Sequence, residues 1–214
     1  MSYLANEDIL CTHCQFLNTV EVWSIVNVQE DPELKDLLLG GELNMAECSA
    51  CKKVFYAEHF LLYHDPTSEL IAFVYPYEDR VERVIYEEKT KVDFQLSQES
   101  LALADKLNYS PLTLFGLDEL VKVIEMEEEV SIQSEIVSAL APSLNLNVKK
   151  IKPSVARRQN IPPVLPFLGD QGELNQQGLI RALEAIGEEN NLLSVYSKFY
   201  ERIKDSQTLE VSFE

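Results

Sequence analysis

The residues best suited to chemistry in this chain are its four cysteines, which form two C-x-x-C pairs and occur nowhere else. The first pair lies in LCTHCQF and the second in ECSACKK, and the 33 residues from Gln15 to Glu47 separate them. A C-x-x-C turn brings two sulfurs close enough to share one tetrahedral ion, and it frees backbone amides to hydrogen-bond the thiolates. The sequence therefore predicts a structural Zn²⁺ held by Cys11, Cys14, Cys48 and Cys51.

Other uses of these thiols stay open, namely a site that has lost its metal and a redox switch that releases Zn²⁺ on oxidation. A thioredoxin-like dithiol is disfavoured, because it needs its C-x-x-C at the start of a helix within a βαβ unit, whereas Cys14 leads towards a strand. Four thiolates leave no position for a water, which argues against a catalytic zinc. His13, inside the first pair, is predicted to be an exposed turn residue and not a ligand.

Charge and hydropathy narrow the class of partner. The chain has 36 acidic and 18 basic residues, a net charge of -18, which repels phosphate backbones, so we do not expect nucleic acid as a partner. No apolar run approaches the roughly 18 residues of a membrane span, and MSYLANEDIL lacks the basic start and apolar stretch of a signal peptide. We expect a cytoplasmic protein with no membrane association.

The first half of the chain is rich in predicted strands. VEVWSIVNV, KKVFYAEHFLLYHD and LIAFVYPY are dense in β-branched and aromatic residues, as strands are. An alternating piece with Val92, Phe94 and Leu96 on one side predicts one more strand. Between the cysteine pairs, EDPELKDLLLGG predicts a short helix, with Asp31 as its cap and glycines at its end.

The second half shows helical periodicity instead. The apolar spacing predicts four helices, around Leu117 to Ile124, Ile132 to Leu140, Leu179 to Ile186 and Leu192 to Ile203, the third capped by Asn175. The predicted fold is α+β: a zinc-ribbon-like antiparallel β domain with an inserted short helix, followed by a helical C-terminal region. We place the first domain at residues 1–125, with its β core at about 7–96. The helical region is placed at 126–214, with a basic, proline-rich connector at 145–172.

That connector suggests a contact with a protein partner. Its IPPVLPFLG stretch is apolar, stiffened by proline and preceded by two arginines, so it can dock in another protein's groove as an extended segment. The alternative is that it lies across this protein's own core. The residues predicted to make the contact are Arg157, Arg158, Pro163, Leu165 and Pro166.

Motifs for catalysis do not stand out in the sequence. Nothing resembles a phosphate loop, a nucleophile elbow or a paired-carboxylate centre with a supporting base. His59 and His64 are five residues apart, and on a strand such positions face opposite ways, so we expect two separate residues and not one site. We therefore expect a protein that is not an enzyme.

The order of motifs resembles a known family. LCTHC is followed by VNVQEDPELKDLLLGGELNMAECSAC, then by LLYHD and an apolar strand. Over roughly residues 7–125 this is similar to the CpXC domain, a bacterial and archaeal module named for two Cys-Pro-X-Cys-like motifs. The resemblance implies a zinc-ribbon-like β module with the four cysteines as ligands, and it implies no activity. Thr12 and Ser49 stand where the family name has proline.

The sequence thus favours a non-enzymatic cytoplasmic protein with a structural zinc site and a protein-interaction or scaffold role. The alternatives are a redox-sensitive zinc-thiolate switch and a nucleic-acid-associated zinc ribbon.

Overall fold

The computed structural model describes residues 1–102, 106–169 and 174–204. The chain is α+β, as predicted, and divides into two compact units, Met1–Val123 and Ile124–Glu214. Within the described ranges, no helix combines the length and the apolar character needed to cross a membrane.

The first unit is built on a five-stranded sheet and a separate two-stranded one. Its strands are β1 (Tyr3–Leu10), β2 (Leu17–Asn27), β3 (Met45–Glu47), β4 (Val54–Tyr56), β5 (Leu61–Asp65), β6 (Leu70–Tyr75) and β7 (Leu112–Phe115). The larger sheet has the order β1-β2-β5-β6-β7, and β3 pairs with β4 alone. The sheet is mixed and not antiparallel as predicted, because β2 pairs with β5 and β6 pairs with β7 in parallel.

The second predicted strand, KKVFYAEHFLLYHD, is two strands in different sheets. β4 pairs with β3 in antiparallel register, and β5 lies between β2 and β6. β6 is buried along its whole length, as its continuous apolar sequence predicts for a strand inside a sheet. As a result β3 and β4 form a hairpin of their own, and the turn of this hairpin contains the second cysteine pair.

The described part of the first unit contains the α-helices α1 (Glu33–Leu39) and α2 (Arg83–Ser100) and the start of α3 (Leu117–Leu140), with a 3-10 helix, Tyr77–Glu82, directly before α2. α1 is the predicted helix between the cysteine pairs, with Pro32 and not Asp31 at its N-cap position. The strand predicted around Val92, Phe94 and Leu96 is wrong, since these residues lie in α2. The β core at 7–96 is corrected accordingly: its strands run from Tyr3 to Phe115, with α2 between β6 and β7.

The second unit contains more than helices. It comprises the rest of α3, β8 (Asn147–Lys150), α4 (Pro153–Gln159), β9 (Val164–Phe167), α5 (Gln176–Glu189) and α6 (Ser194–Lys204). The two helices predicted between Leu117 and Leu140 are the single helix α3. Asn175 caps α5 as predicted, because its side-chain oxygen accepts the Gly178 N–H at 2.8 Å.

Candidate metal centre

The two cysteine pairs lie in two β-hairpin turns of the same geometry. Cys11 to Cys14 connect β1 to β2, and Cys48 to Cys51 connect β3 to β4. In the first turn the Cys11 N–H donates to Phe16 O and the Gln15 N–H donates to Cys11 O, both at 2.9 Å. The second turn repeats both bonds at 2.9 Å, from Cys48 to Lys53 and from Lys52 to Cys48.

The backbone dihedral angles repeat as well. The residue after each second cysteine, Gln15 or Lys52, has a φ of 61°, in the left-handed region that few side chains adopt. A turn that costs strain at the same position in both hairpins is held there by its surroundings. In each hairpin the strained residue follows directly on a cysteine.

The turns bring the four sulfurs into one cluster. Cys11 Sγ lies 3.8 Å from Cys51 Sγ, and Cys14 Sγ lies 3.6 Å from Cys48 Sγ, so each close pair joins one hairpin to the other. All four sulfurs are within 4.8 Å of one another. A Zn–S bond of about 2.3 Å gives a tetrahedron with sulfurs about 3.8 Å apart. The cluster therefore fits a tetrahedral thiolate-bound ion, and its four cysteines are free and not joined in disulfides.

Burial differs sharply among the four cysteines. Cys11 and Cys48 are fully buried and pack with Val22 and Phe55 in a small apolar cluster. Cys51 is partly buried and Cys14 is exposed. The metal centre is thus closed on its inner side and reachable from solvent at Cys14.

Backbone amides point at the sulfurs, as thiolates require. The Cys48 sulfur accepts hydrogen bonds from the N–H groups of Cys51 and Ala50, and these lower the pKa of Cys48 to about 6. The Phe16 N–H favours the Cys14 thiolate, but desolvation and the neighbouring sulfurs outweigh it and raise the pKa of Cys14 to about 12. Four thiols that share one small volume do not all ionise alone, and a divalent cation in their midst replaces their protons.

Asn18 is the residue of this centre that the sequence did not reveal. Its side chain, 5% exposed, donates from Nδ2 to Phe16 O at 2.8 Å and to Cys48 Sγ at 3.6 Å. Its Oδ1 accepts both the N–H and the hydroxyl of Ser49 at 2.9 Å. Asn18 therefore ties the first hairpin to the second. Its position four residues after Cys14 was the only available signal, and an asparagine in a strand is too common to mark a role.

A comparison with protein families matches residues 9–138, more than half of the chain, to the family described as CpXC protein. The chain belongs to the CpXC family. The match begins at residue 9, just before the first cysteine pair. It ends at residue 138, near the end of α3 and beyond the limit of about residue 125 that the sequence predicted. Searches of curated proteins and of solved structures gave no match.

The structure explains the other motif residues behind the CpXC resemblance. In Gly-Glu-Leu-Asn, Gly41 has a φ of 72° and Asn44 a φ of 59°, which together turn the chain into β3. The Asn44 side chain accepts the Trp23 N–H at 2.7 Å and donates to Trp23 O at 3.0 Å, in place of a strand partner for β2. Asp65, at the end of LLYHD, accepts the Thr67 N–H at 3.0 Å and closes the turn into β6. These residues position the second hairpin and the sheet beneath it.

The three histidines lie at separate places. His13 is exposed, and its Nε2 lies 3.1 Å from Val54 O, so it links the first turn to β4. His59 Nε2 lies 3.7 Å from a Glu7 carboxylate oxygen. His64 Nε2 lies 2.7 Å from the Tyr109 hydroxyl, and burial lowers the pKa of His64.

The residues predicted to contact a partner lie in an ordered part of the second unit. Leu165 and Pro166 are buried in β9, which pairs with β8. Pro163 is partly buried, and Arg157 Nε donates to Glu127 at 2.7 Å. Arg158 follows it in α4. Ile161, Val164 and Leu165 belong to the apolar core of the second unit, as the alternative expects, and a contact of this segment with a partner stays a prediction.

Proposed function

We propose that this chain is a non-enzymatic, zinc-stabilised module that binds another protein. The proposal of a bound metal rests on the tetrahedral spacing of four sulfurs, which two equivalent hairpin turns contribute. An all-sulfur tetrahedral site favours Zn²⁺ or iron, and we assign Zn²⁺, the usual ion of structural sites with four cysteines. Cys11, Cys14, Cys48 and Cys51 hold it, and the bound ion cross-links the hairpins as in a zinc ribbon. With four thiolates the metal has a structural role and not a catalytic one.

The structural role follows from what the metal joins. The β3–β4 hairpin has only two short strands, and a two-stranded hairpin is marginally stable by itself in water. A Zn²⁺ ion bonded to both hairpins links this element to the larger sheet. We expect removal of the metal to unfold the second hairpin first and to leave the second unit folded.

The binding part of the proposal rests on apolar side chains beside the cluster. Leu10, Phe16, Leu17 and Val54 flank the cysteine pairs and are about half exposed, between 49% and 54%. We call these four residues the hairpin patch. Apolar and aromatic side chains exposed around a rigid centre are typical of a surface that another protein covers. The net charge of -18 disfavours a nucleic acid in that place. A cytoplasmic location stays a prediction.

The deciding experiment is metal analysis by mass spectrometry of protein expressed without added metal, with Cys48→Ser as the control. One zinc per chain, lost in the control, is the expected result. Folded wild-type protein without metal, with a thermal stability unchanged by a chelator, would contradict the proposal. The double change Phe16→Ser and Leu17→Ser tests the hairpin patch separately, because it is expected to abolish partner binding and to keep the zinc.

A redox-sensitive switch is the second candidate, favoured by the exposure of Cys14 against the burial of Cys11 and Cys48. A peroxide that enters at Cys14 would take two electrons from two thiolates and, with two protons, become two waters while a disulfide forms and the zinc leaves. Zinc release in step with oxidation of all four cysteines, at a stoichiometry of two peroxides per chain, would favour this candidate.

A further inference from the structure

A cavity lies between helix α2 and strands β5 and β6 of the larger sheet. Its volume is about 460 Å³, within the roughly 300–1,000 Å³ that is typical of small-molecule sites. On the sheet side, Ile71, Phe73 and Tyr75 share one face of β6, because alternate residues of a strand point the same way. Leu62, the partner of Phe73 in β5, extends this apolar floor. Phe94 of α2 lines the cavity from the other side.

Aromatic rings make up much of this lining. The centroid of the Phe60 ring lies 5.9 Å from that of Phe73 and 5.3 Å from that of Tyr75, and the rings are inclined to one another. Phe73 and Tyr75 are buried, so packing holds their rings in place. Such rings offer faces and edges to a further aromatic ring. The cavity has the volume of about 15 molecules of liquid water, which is room for a ligand of one or two rings.

The charged side chains at the rim of the cavity neutralise each other. Lys89, Asp93 and Ser97 line the cavity at a spacing of four residues, so they form one exposed row along α2. Lys89 Nζ lies 3.9 Å from Asp93 Oδ2 and 5.3 Å from the centroid of the Tyr75 ring. A cationic ligand would have to compete with this ammonium for the ring. An anionic ligand would meet Asp93 in a chain with a net charge of -18. The cavity therefore favours an uncharged ligand.

The Gln98 amide supplies a hydrogen-bond donor for such a ligand. Gln98 lines the cavity, and its Oε1 accepts the Leu107 N–H at 2.8 Å. Its Nε2 has no hydrogen-bond partner among the described residues. The hydroxyls of the lining are already engaged, because Ser97 Oγ donates to a carbonyl of its own helix at 2.7 Å and the Tyr75 hydroxyl lies 3.2 Å from Thr90 Oγ1. One acceptor on the ligand matches this lining, and each further polar group would be buried without a partner.

We propose that the cavity under α2 binds an uncharged aromatic small molecule with one hydrogen-bond acceptor, such as an aryl ketone. The rings of the ligand pack against the aromatic lining, and its carbonyl oxygen accepts a hydrogen bond from Gln98 Nε2. This site goes beyond the proposed function, since it uses none of the residues of the cysteine cluster or of the hairpin patch.

Titration of the full chain with the fluorescent naphthyl ketone prodan tests this proposal. Prodan is uncharged, has two fused rings and one carbonyl group, and emits at shorter wavelength in an apolar site. We expect one prodan per chain, with a Kd of about 10–100 µM. The double change Phe16→Ser and Leu17→Ser removes exposed apolar side chains of the hairpin patch and is expected to leave prodan binding unchanged.

Two tryptophan substitutions are designed to close the cavity. Leu62→Trp fills it from the floor, whereas Ser97→Trp places an indole over the rim from an exposed position and is expected to leave the fold intact. Each is expected to weaken prodan binding by about tenfold or more, and thermal unfolding shows whether the variant is folded. Leu192→Trp adds the same ring at a residue that is 83% exposed, and this matched control is expected to bind prodan as the wild type does.

Gln98→Glu tests the hydrogen bond to the ligand. The change keeps an oxygen that accepts the Leu107 N–H and removes the Nε2 donor, so it is expected to weaken prodan binding about tenfold. Phenylnaphthylamine, an uncharged aromatic probe without a carbonyl group, is expected to bind the wild type and Gln98→Glu equally.

Four results would each overturn the proposal. They are no prodan binding to wild-type chain at about 200 µM, binding that survives in folded Ser97→Trp, and prodan binding to Gln98→Glu as tight as to the wild type. The fourth is binding of the anionic probe anilinonaphthalene sulfonate as tightly as prodan, with loss of that binding in Ser97→Trp, because it would show that the cavity takes a charged ligand.

Discussion

Asn18→Ala is the sharpest test of how the two hairpins are held together at the cysteine cluster. The change removes the Nδ2 donor to Cys48 Sγ and the Oδ1 acceptor of the Ser49 N–H and hydroxyl. Phe16 O keeps a partner, because it also accepts the Cys11 N–H at 2.9 Å. The loss is therefore confined to the link between the two hairpins.

The magnitude follows from this count of bonds. Leaving partly buried donors without an acceptor costs about 1–3 kcal/mol, which corresponds to roughly 5- to 150-fold in an equilibrium constant. Removal of a residue that orients a metal ligand typically costs about 10- to 100-fold in metal affinity. The two estimates overlap, so we expect Asn18→Ala to bind Zn²⁺ about 10- to 100-fold more weakly than the wild type.

The assay is competition for Zn²⁺ with a chromogenic chelator. Asn6→Ala, an exposed asparagine of β1, is the matched control and is expected to bind as the wild type does. Asn18→Asp is expected to bind more weakly than Asn18→Ala, since it places a carboxylate where Cys48 Sγ needs a donor. An Asn18→Ala affinity within twofold of the wild type would refute the role given to Asn18.

Two further predictions concern glycine packing in α5 and an acidic side chain of the first unit. Gly178→Ala would place a Cβ 1.8 Å from Leu168 O, so it is expected to lower the free energy of unfolding by about 1–3 kcal/mol or more. At Gly187 an added Cβ would meet no atom within 4 Å, so Gly187→Ala is expected to raise the free energy of unfolding by about 0.5–1 kcal/mol. Equal midpoints of urea unfolding for the two alanine variants would contradict the close packing at Gly178. Burial and the nearby carboxylates raise the pKa of Glu58. The folded protein therefore binds a proton at Glu58 more tightly than the unfolded chain does, and ionisation of Glu58 lowers the free energy of unfolding. Glu58→Gln is therefore expected to raise the Tm at pH 7 and to lose that gain below about pH 4, where the carboxyl is protonated in both states; an equal gain at both pH values would contradict this sign.

The parts of the site that the sequence predicted are those with a local signature. A C-x-x-C pair is complete within four residues, so the sequence alone predicted the cysteine cluster and the helix between the two cysteine pairs. Asn18 was not, since its partner Ser49 is 31 residues away and the contact exists only once both hairpins have formed. Residues that orient a ligand across two elements carry no spacing rule that a single sequence reveals.

The errors in the fold have physical causes too. The alternation at Val92, Phe94 and Leu96 fits a strand, but in a helix it places Phe94 towards the core and the other two towards solvent. The sequence predicted the wrong period there because α2 is apolar on two faces, which hides the usual helical pattern. Parallel pairing of β6 with β7 was equally hidden, because it joins strands separated by a whole helix.

Ser49 stands where the family name has proline, and its backbone N–H donates a hydrogen bond to Asn18 Oδ1. Proline has no N–H, so a chain with proline at that position cannot donate from its backbone to an Asn18 side chain. The equivalent turn geometry of the two hairpins shows that proline is not needed to form either turn. We therefore expect Ser49→Pro to weaken Zn²⁺ binding by about as much as Asn18→Ala. Thr12→Pro, the same change in the first turn, should weaken it much less. Equal losses from the two proline variants would show that turn formation, and not the Asn18 bond, sets the affinity.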